Sequence, residues 1–185
     1  GAKVAGSKFY FLKNEAVLLS MALVQLALSV AMKRSYQPLM TPDLAKDKIV
    51  QGAGYNPRRE DGESEIYSIE GHDLCLIGTA EIPVGGLHAD EIIPSDKLPL
   101  KYVAFSHCFR TEAGAAGKRS KGLYRVHQFD KVELFQFTQP SQSEAALEEI
   151  RAIEEEIFTL LAIPYRLMRI CSGDMGAPAY KKYDI

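Results

Sequence analysis

The chain has 185 residues, 46% of them hydrophobic and 25% charged, which suits one globular domain with a substantial core. A formal net charge of -2 excludes a global positive field, so any nucleic-acid partner must be met by a local basic patch. Cys75, Cys108 and Cys171 are odd in number, widely spaced and without CxxC or paired histidines, which argues against a zinc site and for buried thiols in a reducing compartment.

The first strong signal is the run 16–32, AVLLSMALVQLALSVAM. It sits at the short limit for a membrane span and contains Ser20, Gln25 and Ser29, so a buried helix is expected. Asn14 suits its cap, Glu15 its first turn and Lys33 with Arg34 its last. No cleavage pattern of a secretory signal follows. A helix apolar nearly all round needs cover on several sides, either as a central core helix or with help from a second subunit. Pro38 and Pro42 follow it, and 56–65, NPRREDGESE, reads as an exposed loop or hairpin at the rim of a site. Thr79-Ala80-Glu81 reads as a strand-to-helix junction with a cap.

Residues 106–137 read as two strands joined by an over-long loop. Period-two alternation puts Tyr102, Ala104, Ser106, Cys108, Arg110 and Glu112 on one face of the first strand. In the second, His127, Phe129, Lys131, Glu133, Phe135 and Phe137 share a face. Apolar and polar groups mix on both faces, as in a strand covered by helices on one side and lining a polar cleft on the other. The loop between, AGAAGKRSKGLYR, far exceeds the roughly two to five residues of ordinary hairpins. Lys118, Arg119, Lys121 and Arg125, with no acidic residue among them, suit polyphosphate or nucleic acid, and the glycines let the backbone bend around it. A solvated, flexible hairpin tip is the alternative for such a loop taken alone, and flanking Arg110, Glu112 and Glu133 favour the working loop. GKRS is not a Walker loop: Glu112 stands where the first glycine belongs, arginine follows Lys118, and the context is strand-loop-strand.

Beyond the hairpin, Ser141 and Glu144 form a plausible capping box for a helix with the apolar stripe Leu147, Ile150, Ile153, Ile157 and Leu161. Tyr165 to Cys171 reads as a further strand before a turn at 173–176. The expected class is α+β, a mainly antiparallel sheet flanked by helices. The four histidines, His72, His88, His107 and His127, read as structural.

FRTE at 109–112, the long loop and GLYRVHQFDKVELF at 122–135 resemble motif 2 of class II aminoacyl-tRNA synthetases, specifically the seryl-tRNA synthetase family. GSKFYFLKNEAVLL near the start, TPDL at 41–44, LIGTAEIPVGGLHADEI at 76–92 and GDMGAPAYKKYDI at the end are similar to that family in the same order. The resemblance implies a class II catalytic domain with motif 1 at about 14–44, a serine-recognition segment at about 76–92 and motif 2 at about 102–137. It implies homodimerisation through motif 1, whose helix is followed by a strand with a proline, here assigned to Pro42. The family's N-terminal tRNA-binding arm and motif 3 have no counterpart in these residues, so a partial catalytic domain, truncated before motif 3, is expected.

The implied chemistry is activation of serine by ATP to seryl-adenylate and transfer of the seryl group to tRNA, in the cytoplasm or an organelle. The substrate carboxylate is the nucleophile, so positioning and charge stabilisation dominate. The resemblance assigns ATP to Arg110, Glu112, Arg125, Val126 and Phe129, with Arg110 and Glu112 as catalytic residues. It assigns serine to Thr79, Glu81, Arg110 and Glu133, and the tRNA acceptor end to Lys118, Arg119 and Lys121. Mg²⁺ ligands are expected mainly outside this segment. Phe129 and Glu133 lie four residues apart on one face, roughly 13–14 Å in an extended strand, about the scale of an aminoacyl-adenylate. A non-catalytic, synthetase-derived dimeric partner or RNA-binding module is the alternative.

Overall fold

A computed structural model describes residues 1–58, 64–112, 122–176 and 178–185. A one-turn helix α1 (Ala2–Ala5) precedes the long helix α2 (Glu15–Met32), strand β1 (Gln37–Met40), the short strand β2 (Leu44–Ala45) and helix α3 (Asp47–Gly52). Then come β3 (Cys75–Leu76), α4 (Glu81–Gly86), the two long strands β4 (Leu100–Phe109) and β5 (Gln128–Phe137), helix α5 (Ser143–Leu160), and the small pair β6 (Met168–Arg169) and β7 (Tyr183–Asp184).

The central sheet has the order β1-β4-β5. β1 runs parallel to β4, and β4 pairs antiparallel with β5 over its whole length, from Leu100 opposite Phe137 to Phe109 opposite Gln128. The pairing continues beyond the strands, where the Arg110 N–H donates to the His127 carbonyl at 3.0 Å. Alternation along β4 and β5 therefore divides the sheet into the two faces expected from the sequence. On one face Val103, Val132 and Leu134 pack against Leu26, Val30 and Ala31 of α2 and Ile150, Ile153 and Ile157 of α5. The opposite face holds Tyr102, Ala104 and Phe135 against Ala80 and Val84, which brings α4 to the cleft side. A third cluster, Val50, Ile66, Cys75, Ile77 and Ile82, binds α3, β3 and α4 together. Their approach is close: a β-carbon on Gly86 would meet Ile49 Cγ2 at 2.6 Å.

Several local expectations are corrected. α2 is half-clad rather than buried: Val30 and Ala31 are fully covered, while Leu18, Leu19 and Met21 are 67%, 61% and 66% exposed. By length and composition it could cross a membrane, yet its inner face packs on the sheet and α5. Asn14 precedes the helix with φ 53° and ψ -124°, a backbone conformation that side-chain-bearing residues seldom adopt, and makes no side-chain cap. Lys33 and Arg34 fall just past the last turn.

The proline of the strand after α2 is Pro38, while Pro42 lies beyond β1. Pro38 is accommodated because β1 pairs on one side only within the described sheet. The capping box at Ser141 does not form. Residues 140–142 make a 3-10 turn, the Ser143 hydroxyl donates to the Pro140 carbonyl at 3.0 Å, and the Glu144 carboxylate is taken by Tyr180 and Lys181. The strand expected at 165–171 shrinks to β6, paired with β7. Cys75 and Cys108 are buried thiols as expected, but Cys171 is exposed.

Candidate active-site cleft

The cleft is built on the sheet face that carries Cys108, Ser106 and Ala104 of β4 opposite Phe129, Lys131 and Glu133 of β5. At its loop end, the Arg110 guanidinium lies 5.3 Å from the centre of the Phe129 ring, a cation–π arrangement. Arg110 Nε donates to the Gly78 carbonyl at 3.2 Å, which ties the arginine to the segment leading into α4. Arg110 forms no ion pair with Glu112. The Glu112 partner is Arg125, with Nη1 to Oε2 at 2.8 Å, and this pair bridges the two ends of the long loop. Glu112 itself adopts φ 53°, a left-handed conformation at the point where the chain leaves the sheet. Val126 is buried just before β5. Lys118, Arg119 and Lys121 lie outside the described residues.

About four residues further along β5, the sheet meets the α4 junction. Thr79 is 1% exposed and all three hydrogen-bonding capacities of its hydroxyl are used. It donates to Glu133 Oε2 at 2.8 Å and accepts from the Glu81 N–H at 3.2 Å and from Lys131 Nζ at 2.6 Å. Lys131 Nζ also meets Glu133 Oε2 at 2.5 Å. Burial pushes the Glu81 carboxyl above its ordinary value, the Glu133 charge adds to this, and Lys131 opposes it. The Tyr55 phenol, half-buried after α3, is raised by burial and by the Glu81 and Glu133 charges, with Arg110 opposing. A cavity of about 400 Å³ opens beside Glu81 and Phe135, floored by Gly52, Gly85 and Gly86.

The rim is anchored from below. Arg58 Nε pairs with Asp47, and a second guanidinium nitrogen donates to the His72 carbonyl at 2.5 Å. The Cys75 thiol donates to Asp47 Oδ1 at 3.0 Å, and burial with this bond pushes it up to about 11, so it stays protonated and inert. Far from being freely exposed throughout, the segment expected at 56–65 has Pro57 buried and its ends tied down: Ser64 donates to the Asn56 carbonyl at 2.8 Å, and Thr111 donates to the Ser64 carbonyl at 2.6 Å. Residues 59–63 of that segment lie outside the described residues.

The histidines of the hairpin are engaged structurally. His107, on the helix face, lies 2.9 Å from Asp43, and His127 Nδ1 lies 3.0 Å from the Arg110 carbonyl with its ring packed near Phe9 and Tyr67. Among the described residues, no group of three His, Cys, Asp or Glu side chains could hold a metal ion. The structure thus gathers Thr79, Glu81 and Glu133 at one end of a face and Arg110, Glu112, Arg125 and Phe129 at the other. Sequence reasoning gave no role to Lys131, although its alternation with Phe129 and Glu133 places it on the cleft face. It also gave none to Tyr55, whose approach to the site depends on tertiary packing alone.

The model of the tRNA synthetase class II core domain family (G, H, P, S and T) matches residues 65–185. Across all 185 residues the chain is 57% identical to the serine–tRNA ligase of Treponema denticola, covering 43% of that protein. It is 56% identical to the serine–tRNA ligase of Rhodopirellula baltica, again covering 43%. Its fold superposes on seryl-tRNA synthetase from Pyrococcus horikoshii complexed with ATP at a TM-score of 0.92 and 47% identity, over 99% of this chain and 40% of that one. The chain therefore spans less than half the length of these relatives.

Proposed function

Since this chain belongs to the class II tRNA synthetase core domain family (G, H, P, S and T), we propose that it is the active-site part of a serine–tRNA ligase. The observation that carries this reading is the sheet face that has Arg110 stacked on Phe129 at one end and the Thr79–Glu133–Lys131 cluster beside Glu81 at the other. One end suits a nucleotide, the other a small amino acid with a hydroxyl and an ammonium.

In the proposed reaction a carboxylate oxygen of serine attacks the α-phosphorus of ATP, the bond to the bridging oxygen breaks, and pyrophosphate leaves. Arg110 offers a planar fork of donors to the α-phosphate and the serine carboxylate as charge builds there. Phe129 gives the adenine an apolar face, with Val126 beside it, and Glu112 contacts the nucleotide. Arg125 swings from Glu112 toward the outer phosphates. Glu81 holds the serine ammonium, and Glu133, oriented by Thr79, accepts the serine hydroxyl, so that alanine would leave a partly buried acceptor without that donor. The seryl group then passes to the 3′-terminal adenosine of tRNA, met by Lys118, Arg119 and Lys121. Mg²⁺ would enter with ATP and neutralise phosphate charge, with its ligands expected mainly outside these residues.

The exposed apolar face of α2 is the proposed homodimer surface. Beside it a groove of about 630 Å³ runs between α2 and β1, lined by Met21, Leu28, Pro38 and Met40. The proposed place of work is the cytoplasm. The test of the whole reading is ATP–pyrophosphate exchange by the complete protein that contains this segment. Exchange should depend on serine and be weak with alanine or threonine; exchange indifferent to serine would reject the assignment.

A further inference from the structure

We propose that Lys131 is a positioning residue for substrate selection, fixing Glu133 and Thr79 in the arrangement that accepts the serine hydroxyl. The inference rests on the serine–tRNA ligase reading and adds to it a residue with no role so far.

The argument is one of hydrogen-bond direction. An ammonium can only donate, and so can a backbone N–H. Because Lys131 and the Glu81 N–H both donate to Thr79 Oγ1, at 2.6 and 3.2 Å, the Thr79 proton must point to Glu133 Oε2, at 2.8 Å. Lys131 meets that same oxygen at 2.5 Å. Two donors therefore converge on Oε2, which leaves Oε1 as the oxygen for a ligand. Thr79 is saturated and acts as a spacer with fixed polarity. A side chain at 131 without a donor would free the Thr79 hydroxyl to rotate, and a neutral one would take from Glu133 its charge partner.

Charge makes the same residue necessary. Burial and the neighbouring Glu133 charge disfavour the ionised form of Glu81, and Lys131 opposes them. The other charged or titratable groups near them are Lys48 of α3, Tyr55 after it with Glu65 acting on that phenol, Cys108 of β4 and Arg110 just beyond it, while Glu154 of α5 feels the Glu133 charge from the helix side of the sheet. Of the cations, Arg110 is committed to the phosphate and carboxylate end in the proposed reaction, while Lys131 alone contacts Glu133 directly among the described residues. A positive charge there favours the ionised form of Glu81, which is to hold the serine ammonium. Removing it should raise the pH at which Glu81 takes up a proton.

The test compares Lys131→Gln and Lys131→Arg in the complete protein, by serine-dependent ATP–pyrophosphate exchange across pH 5 to 8. Lys131→Gln retains a donor for Thr79 but no charge. It should raise KM for serine by about ten-fold with KM for ATP little changed, erode the preference for serine over alanine, and move the acid limb of kcat/KM for serine upward by roughly one pH unit. Lys131→Arg should leave the acid limb where the unaltered protein has it. Identical pH profiles for the two variants, or a serine KM within about two-fold of the unaltered protein in Lys131→Gln, would overturn the proposal. Should Lys131→Gln not fold, Lys131→Arg still decides, since a displaced acid limb in that variant contradicts a role for the charge. An unaltered protein with no serine-dependent exchange would instead reject the functional reading itself, a separate and visible failure.

Discussion

Replacing Arg110 by lysine retains the positive charge and the backbone bonds to His127 but removes the other side-chain contacts the structure shows. The Nε–H bond to the Gly78 carbonyl at 3.2 Å disappears, as does the planar group 5.3 Å over Phe129. A neutral-acceptor hydrogen bond contributes about 1 kcal/mol, and an exposed cation–π contact about 0.5–1 kcal/mol. The fold should therefore lose about 1–2 kcal/mol and remain intact. The loss in reaction should be larger. A lysine cannot span two oxygens with parallel donors, and removal of one well-placed donor to developing charge costs about 3–4 kcal/mol, or roughly 10²–10³ in rate. Serine-dependent ATP–pyrophosphate exchange by Arg110→Lys in the complete protein should fall by that factor, with thermal unfolding lowered by only a few degrees. Exchange within about three-fold of the unaltered protein, alongside the same small change in unfolding temperature, would show that Arg110 merely holds the Gly78 segment and Phe129 together.

Three further outcomes are expected. Replacing Lys118, Arg119 and Lys121 together by alanine should weaken tRNA charging and flatten its salt dependence while sparing pyrophosphate exchange, whereas Arg125→Ala should lower exchange; the reverse pattern would assign the basic tip to ATP. Light scattering should give twice the chain mass for the complete protein, and Leu19→Glu, on the exposed face of α2, should reduce it to the monomer mass; a monomer before mutation would end the dimer proposal. Finally, Glu148 is held down at about 2 by Lys181, Arg151 and Tyr183, and of these Lys181 and Tyr183 fasten the β6–β7 end to α5. A depressed carboxyl stabilises the fold above its ordinary value near 4.5 and loses that contribution as pH falls toward about 2. Lys181→Met should thus reduce the fall in melting temperature over that window, and an unchanged pH dependence would deny the linkage.

Much of the site was legible from local pattern because a strand enforces its own geometry. Alternation alone put Arg110 with Cys108 and Phe129 with Lys131 and Glu133, and the antiparallel register confirms those faces residue by residue. The length and charge of the loop at 113–125, taken with flanking Arg110, Glu112 and Glu133, point to a working hairpin from the sequence alone. Local pattern failed where partners are distant. The capping box at Ser141 is a sound local motif, but Lys181 and Tyr180, far along the chain, compete for Glu144 and hold it elsewhere. The apolar run of α2 announces a helix that wants burial, yet periodicity cannot say that only Val30, Ala31 and their neighbours face this chain's own core. The meeting of Thr79 with Glu133 spans 54 positions and exists only because α4 packs onto the cleft side of the sheet. Lys131 was visible on the correct face from the start; its work became apparent only when tertiary packing brought the Thr79 hydroxyl and the Glu133 carboxylate to the same ammonium, since hydrogen-bond direction depends on which donors and acceptors the fold brings within about 3 Å of one another.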